Sequence, residues 1–338
     1  MKFGNAVLGA AIAFGSVTLV GSTQTEGAPQ GRLLLAGPTP IGGPENNEIH
    51  EFCLETRERR TLASISMRPI AMAVCPDGRL YVVDQTTVYK LDRTTGQFLG
   101  SFPNQTAEPE TMICKPDGNL LISGDAATNT IDQYTSAGVR TTWLSSGSLN
   151  TIRSLTVTPS GGIAFANLHP NSANELLEYD ANGTFLRTVI PTSVGVRMYG
   201  FAFRSANEIL VTDAASDCIK RFDWTTTPAT ALTDFVCDSS RLPRGYIGIH
   251  PGDGSVFVPD LDSGCVHGWD SSGQLLYGGQ SLECYGPNTA ASYPLVFAEP
   301  SLACVPTLSE WGVGVMVLLL LTAGTLVATR RRLTGRPT

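Results

Sequence analysis

Through the middle of the chain, short apolar runs rich in Val, Ile, Leu, Phe and Tyr are separated by clusters of Asp, Asn, Gly, Ser and Pro. The runs LYVV, LLIS, IAFA, ILVT and VFVP each follow a turn signal, at Pro76, Pro116, Pro159, Ser205 and Pro251. Runs this short, bounded by turn residues and enriched in β-branched and aromatic side chains, predict strands and not helices. Another apolar run (IAMAV, TMIC, SLTV, YGFAF, YIGI) precedes each turn. After the turn come a second strand ending in Asp, Asn or Gly-Asp, a polar loop, a third strand ending in an aromatic or Leu plus Asp, a turn and a fourth strand. The turn anchors are 40, 43, 46 and 46 residues apart. Four short strands at that period predict the blade of a β-propeller.

A sixth unit is divided between the two ends of the repeat region. GRLLLAG (31–37), NEIHEF (47–52) and RTLASI (60–65) supply a second, third and fourth strand, and PLVFAEP (294–300) supplies a lone first strand. The expectation is an all-β, six-bladed propeller of four-stranded blades over residues 31–304, closed by strand exchange between its N- and C-terminal segments. Closure removes the open edges that would otherwise pair with other chains.

Composition narrows the class of protein. With 42% hydrophobic and 16% charged residues over 338 positions, the chain is globular in type. Its net charge is −7, and setting aside Glu310 and the five basic residues of the terminal segments leaves 18 basic against 29 acidic residues, or −11. That acidity argues against a nucleic-acid partner, which needs a basic footprint. Lys2 followed by an uncharged run from Phe3 to Val20 and then Gly21-Ser22-Thr23 reads as a secretory signal peptide over residues 1–23. The eight cysteines (53, 75, 114, 218, 237, 265, 284 and 304) fit an oxidising compartment, and no CxxC occurs among them.

The phrases ILVTDAASDCIKRFD and LYVVDQTTVYKLD resemble the repeat of NHL-type propellers across roughly residues 31–300. The resemblance implies the fold and leaves function open. Aligned this way, Cys218 and Cys265 open the third strands of their units and Cys237 and Cys284 follow the fourth, 19 residues later in each case, which predicts two intra-blade disulfides. Cys75 and Cys114 end the first strands of consecutive blades and either bridge or sit buried, while the split blade brings Cys53 and Cys304 into one neighbourhood. Eight cysteines allow 105 pairings, so the alignment is the only guide.

Residues Val313 to Thr329 carry no charge, with Trp311 before them and Arg330, Arg331 and Arg332 after. Seventeen uncharged, mainly apolar residues with an interfacial aromatic at one end and a basic cluster at the other predict a transmembrane helix with the arginines on the cytoplasmic side. The segment before it, Val305-Pro306-Thr307-Leu308-Ser309-Glu310-Trp311-Gly312, resembles the IPTL-CTERM sorting tail of Gram-negative bacteria, and residues 305–332 hold its three parts in order. That resemblance implies export, an inner-membrane-anchored precursor, an envelope sorting protease that acts on the tail, and delivery to the cell surface or extracellular space.

The chain holds no H-E-x-x-H, G-x-S-x-G, P-loop or EF-hand motif, and its four histidines (50, 169, 250 and 267) fall at unrelated blade positions. One constellation recurs with the ring. Arg68, Arg153, Arg197 and Arg244 each lie just before an innermost strand, and Asp84, Asp125, Asn167, Asp213 and Asp260 end second strands, on the same rim. They form either cross-blade Arg–carboxylate pairs that organise loops or a basic channel mouth for an anionic sugar or carboxylate. Two functions compete. One is a non-catalytic surface protein that needs no cofactor and binds a surface polysaccharide or protein ligand. The other is a hydrolase or lyase resembling the gluconolactonase and streptogramin-lyase propellers, with Glu110, Asn167 and Asp213 offered as ligands to a channel divalent cation such as Ca2+.

Overall fold

The computed structural model describes residues 31–36, 47–124, 129–168, 174–241, 245–260, 263–284 and 295–298. The expected signal peptide (1–23), Asp125, His169, Arg244, Cys304, the tail motif 305–312, the span 313–329 and Arg330–Arg332 lie outside the described residues. Among those that are described, no helix is long and apolar enough to cross a membrane.

Six antiparallel sheets form the six blades of a propeller. In the first blade the strands Ala71–Val74, Arg79–Val83, Thr87–Asp92 and Phe98–Pro103 follow in order from the channel outward. The split blade has the order expected of strand exchange, with Leu295–Ala298 innermost, then Arg32–Ala36, Glu48–Cys53 and Arg59–Ser64. The innermost strands touch one another in succession round the axis and return to the first, so the ring is closed. The fourth blade departs from the four-strand plan: its outer edge is broken into Thr230–Ala231 and Val236–Cys237, both paired to Cys218–Asp223.

Each second strand is sandwiched between two neighbouring blades, which explains why these strands read as unbroken apolar runs. Successive side chains of a strand point to opposite faces. Leu80 and Val82 therefore pack with Leu34 and Ile49 of the split blade, and Tyr81 and Val83 with Leu120 and Ile122 of the second. Six such hydrophobic clusters, one at each blade interface, hold the ring together.

The polar punctuation is turn chemistry. In Pro76-Asp77-Gly78 the Gly78 amide donates to the Cys75 carbonyl, the Arg79 amide to Asp77 Oδ1, and Gly78 takes a φ of +79°. That left-handed conformation costs a residue with a Cβ far more than glycine. The Asp closing a third strand caps the next turn: Asp92 accepts from the amides of Thr94 and Thr95, and Asp180 from those of Asn182 and Thr184. The amides of Thr95 and Thr184 are the main reason that both carboxyls are held below the usual aspartate range.

Disulfides join Cys218 to Cys237 and Cys265 to Cys284, each pair directly opposed across neighbouring strands, and Cys75 to Cys114 between the first and second blades. Cys53 is also oxidised; Cys304, its expected partner, lies outside the described residues.

Arg32 pairs with Ala298, so the described chain is entered and left side by side. Strand polarity puts this point on the face that carries the Pro76-Asp77-Gly78 turn. The innermost strands begin on the opposite face.

Candidate functional site

On the face where the innermost strands begin, three consecutive blades break their ladders at equivalent positions. The register shifts between Pro109 and Thr111 in the second blade, between Ile152 and Ser154 in the third, and between Met198 and Phe201 in the fourth. The extra residues are Glu110, Arg153 and Tyr199 with Gly200. A β-bulge re-aims the side chain it carries. Tyr246 occupies the corresponding place ahead of Gly248–Ile249 in the fifth blade.

These residues meet across the channel mouth. The Tyr246 hydroxyl donates to the carbonyl of Glu110 at 3.1 Å, joining the second and fifth blades, which face each other across a six-membered ring. The guanidinium of Arg153 lies over the Tyr199 ring, 5.3 Å from its centroid, an arrangement favoured by the ring quadrupole. Desolvation raises the Tyr246 phenol well above the ordinary tyrosine pKa, the Glu110 charge adds to this, and Arg153 opposes it. Tyr246 therefore stays protonated, and a hydrogen-bond donor, at any physiological pH.

Side chains of the preceding blade hold Arg153, Tyr199 and Tyr246 in place through the carbonyl just before each. Ser123 Oγ donates to Ile152 O at 2.8 Å, Asn174 Nδ2 to Met198 O at 2.9 Å, and Thr212 Oγ1 to Gly245 O at 3.0 Å. Gly200 lets the two chains approach: a Cβ there would lie 2.8 Å from Tyr246 Cα and 2.9 Å from Gly245 O. Below the mouth, Tyr246 caps a cavity of about 330 Å³ lined mainly by Met72, Met112, Leu155 and Phe201.

The rim foreseen from sequence is assembled only in part. Arg153 and Arg197 both lie at this end of the ring; the Arg197 side chain is exposed, and Arg68, partly exposed, precedes the innermost strand of the first blade. Among the described residues, the bonds of Asp84 and Asp213 run mainly to their own loops and blades. Asp84 is fully buried and accepts from the amides of Thr86 and Thr87 and from the Tyr89 hydroxyl. Asp213 accepts from the Arg197 and Ala215 amides and from Ser216 Oγ, and its charged neighbour is Lys220 of its own blade, at 3.7 Å. Asp260 is buried and accepts from Ser263 Oγ. Short polar side chains placed after a strand satisfy loop amides, as Asp84 and Asp213 do here.

The offered cation set fares similarly. Asn167 accepts from the Asn150 amide and donates to Ser148 O and Glu175, and Asp213 is committed as described, so of the three only Glu110 stands among the mouth residues. One group of potential metal ligands, Cys218, Asp234 and Cys237, occurs among the described residues, and its two sulfurs are joined as a disulfide. Tyr199 and Tyr246 were not foreseen. Their signal is the near-repeat of Arg197-Met198-Tyr199-Gly200 and Arg244-Gly245-Tyr246, an aromatic beside glycine at the same place in consecutive blades.

Residues 303–332 match the IPTL-CTERM motif. Among solved structures, the chain is similar to one in the crystal structure of a nidogen/laminin complex, at 15% identity over 80% of this chain and 99% of the other, with a TM-score of 0.62. It is also similar to a protein of unknown function from Bacteroides caccae, at 15% identity over 80% of this chain and all of the other, with a TM-score of 0.55. At that identity both likenesses concern the propeller fold alone. No curated protein matches.

Proposed function

We propose that this chain is an exported, non-catalytic binding propeller, delivered to the cell surface or extracellular matrix by its C-terminal tail. The observation that carries the reading is the IPTL-CTERM match at residues 303–332 directly behind a closed six-bladed propeller. In this reading residues 1–23 direct export, residues 313–329 hold the precursor in the inner membrane, and an envelope sorting protease acts on the tail. The propeller then presents its channel mouth to a surface polysaccharide or protein ligand. The described chain is left at Ala298, on the face opposite the mouth, and in this reading the tail continues from that face.

Deletion of residues 305–332 tests the reading in the native host. The expected outcome is a propeller that is exported and folded but absent from the membrane fraction, with its surface-retained form lost. An unchanged distribution between membrane, surface and medium would contradict it.

A further inference from the structure

Among the described residues, carboxylates pair more than half of the arginines. Arg32 and Arg60 share Glu51, Arg140 bonds Asp132, Arg187 bonds Glu178 and Arg221 bonds Glu208. Arg153 breaks the pattern. Its guanidinium makes no hydrogen bond or ion pair with any described residue, its Nε is buried without a partner, and it lies over the face of Tyr199. The bulge that turns it into the mouth is held by the Ser123 bond to Ile152 O, so the unpaired cation is fixed in place.

From this juxtaposition we propose that Arg153, Tyr199 and Tyr246 form a subsite for a carboxylated saccharide, a single uronic acid residue of an acidic glycan. The inference rests on the reading of the mouth as a binding surface and names what that surface takes. A planar guanidinium matches a carboxylate with two parallel hydrogen bonds. Tyr199 and Tyr246 are both partly exposed and offer ring surface to the C–H face of a sugar. The Tyr246 hydroxyl keeps its bond to Glu110 O, so this residue offers the sugar its ring and not a donor. Glu110 stands on the neighbouring bulge and its charge opposes that of the ligand, so a dianion such as a phosphate monoester is repelled more strongly than a uronate.

The test uses the methyl glycosides of glucuronic and galacturonic acid as probes, with their methyl esters as neutral controls of nearly equal shape. Binding to the purified, folded protein is followed by saturation-transfer NMR and titration. At least one acid is expected to bind ten-fold or more tightly than its ester. Arg153→Gln abolishes that preference, Tyr199→Leu weakens acid and ester alike, and Arg197→Gln leaves both unchanged. Should Arg153→Gln not fold, Arg153→Lys keeps the charge and loses the paired hydrogen bonds, and it is expected to lose most of the preference. Failure of the wild-type protein to bind either acid, or an acid preference that survives both Arg153 substitutions, overturns the proposal. Export is read separately by the tail deletion: loss of the uronide result leaves the sorting account standing, and an unchanged distribution of the deletion leaves the subsite standing.

Discussion

Single side chains in this molecule are explained by where their hydrogen bonds go. His267 is a titratable group set by its surroundings. It is 6% exposed, contacts Ser281 Oγ through Nδ1 at 3.3 Å, and lines a surface groove of about 640 Å³ with Arg57 and Arg241. Burial lowers its pKa, and the attraction of Asp260 offsets only part of that. The folded protein therefore keeps the imidazole neutral at pH values where the unfolded chain, titrating near 6.5, has taken up a proton. Stability falls as pH drops below about 6.5, and the residue contributes no pH dependence above it. His267→Gln is expected to flatten the pH dependence of the urea midpoint between about pH 5 and 6.5, and an unchanged slope would show that the residue protonates in the fold. At this scale the sequence was readable where chemistry follows type and unreadable where it follows backbone. Arg153 could be singled out as a charge recurring before innermost strands, whereas no pattern selected Glu110, and Tyr199 and Tyr246 join them only because three bulges and the entry to the fifth blade bring non-neighbouring residues into one mouth.

The elements were the most legible level, because their signals repeat. Continuous apolar runs reported second strands buried on both faces, and Pro-Asp-Gly reported a turn whose glycine needs a positive φ. Equal cysteine spacing reported the strand pairs that the bonds Cys218–Cys237 and Cys265–Cys284 now join. The broken outer edge of the fourth blade was not legible, since an irregular edge strand is fixed by its disulfide and loop and not by periodicity. Cys75–Cys114 differs from the other two bonds in tying separate blades, across 39 residues. The chain-entropy account gives a loop of that length roughly 3–4 kcal/mol. Replacing both residues with serine is expected to lower unfolding stability by about that amount in urea titrations, with the blades still formed by circular dichroism. A change under about 0.5 kcal/mol would mean that the blade interface alone positions these strands.

The whole molecule is organised by closure and by polarity. Strand exchange in the split blade leaves no open sheet edge at the join, and it sets the two ends of the described chain beside each other on one face. The bulged residues gather on the other face. Fold and address were both visible in the amino-acid order, one from a 40 to 46-residue period and the other from a contiguous tail motif. The channel mouth was only half visible, being made of residues from four blades. The central claim is that the tail is a processed address and the propeller the working part. The measurement that tests it most directly is the intact mass of the protein recovered separately from the membrane and from the extracellular fraction of its native host. The account predicts a released species whose C-terminus falls near residues 304–312. A membrane species ending at Thr338, with no released form, would contradict it.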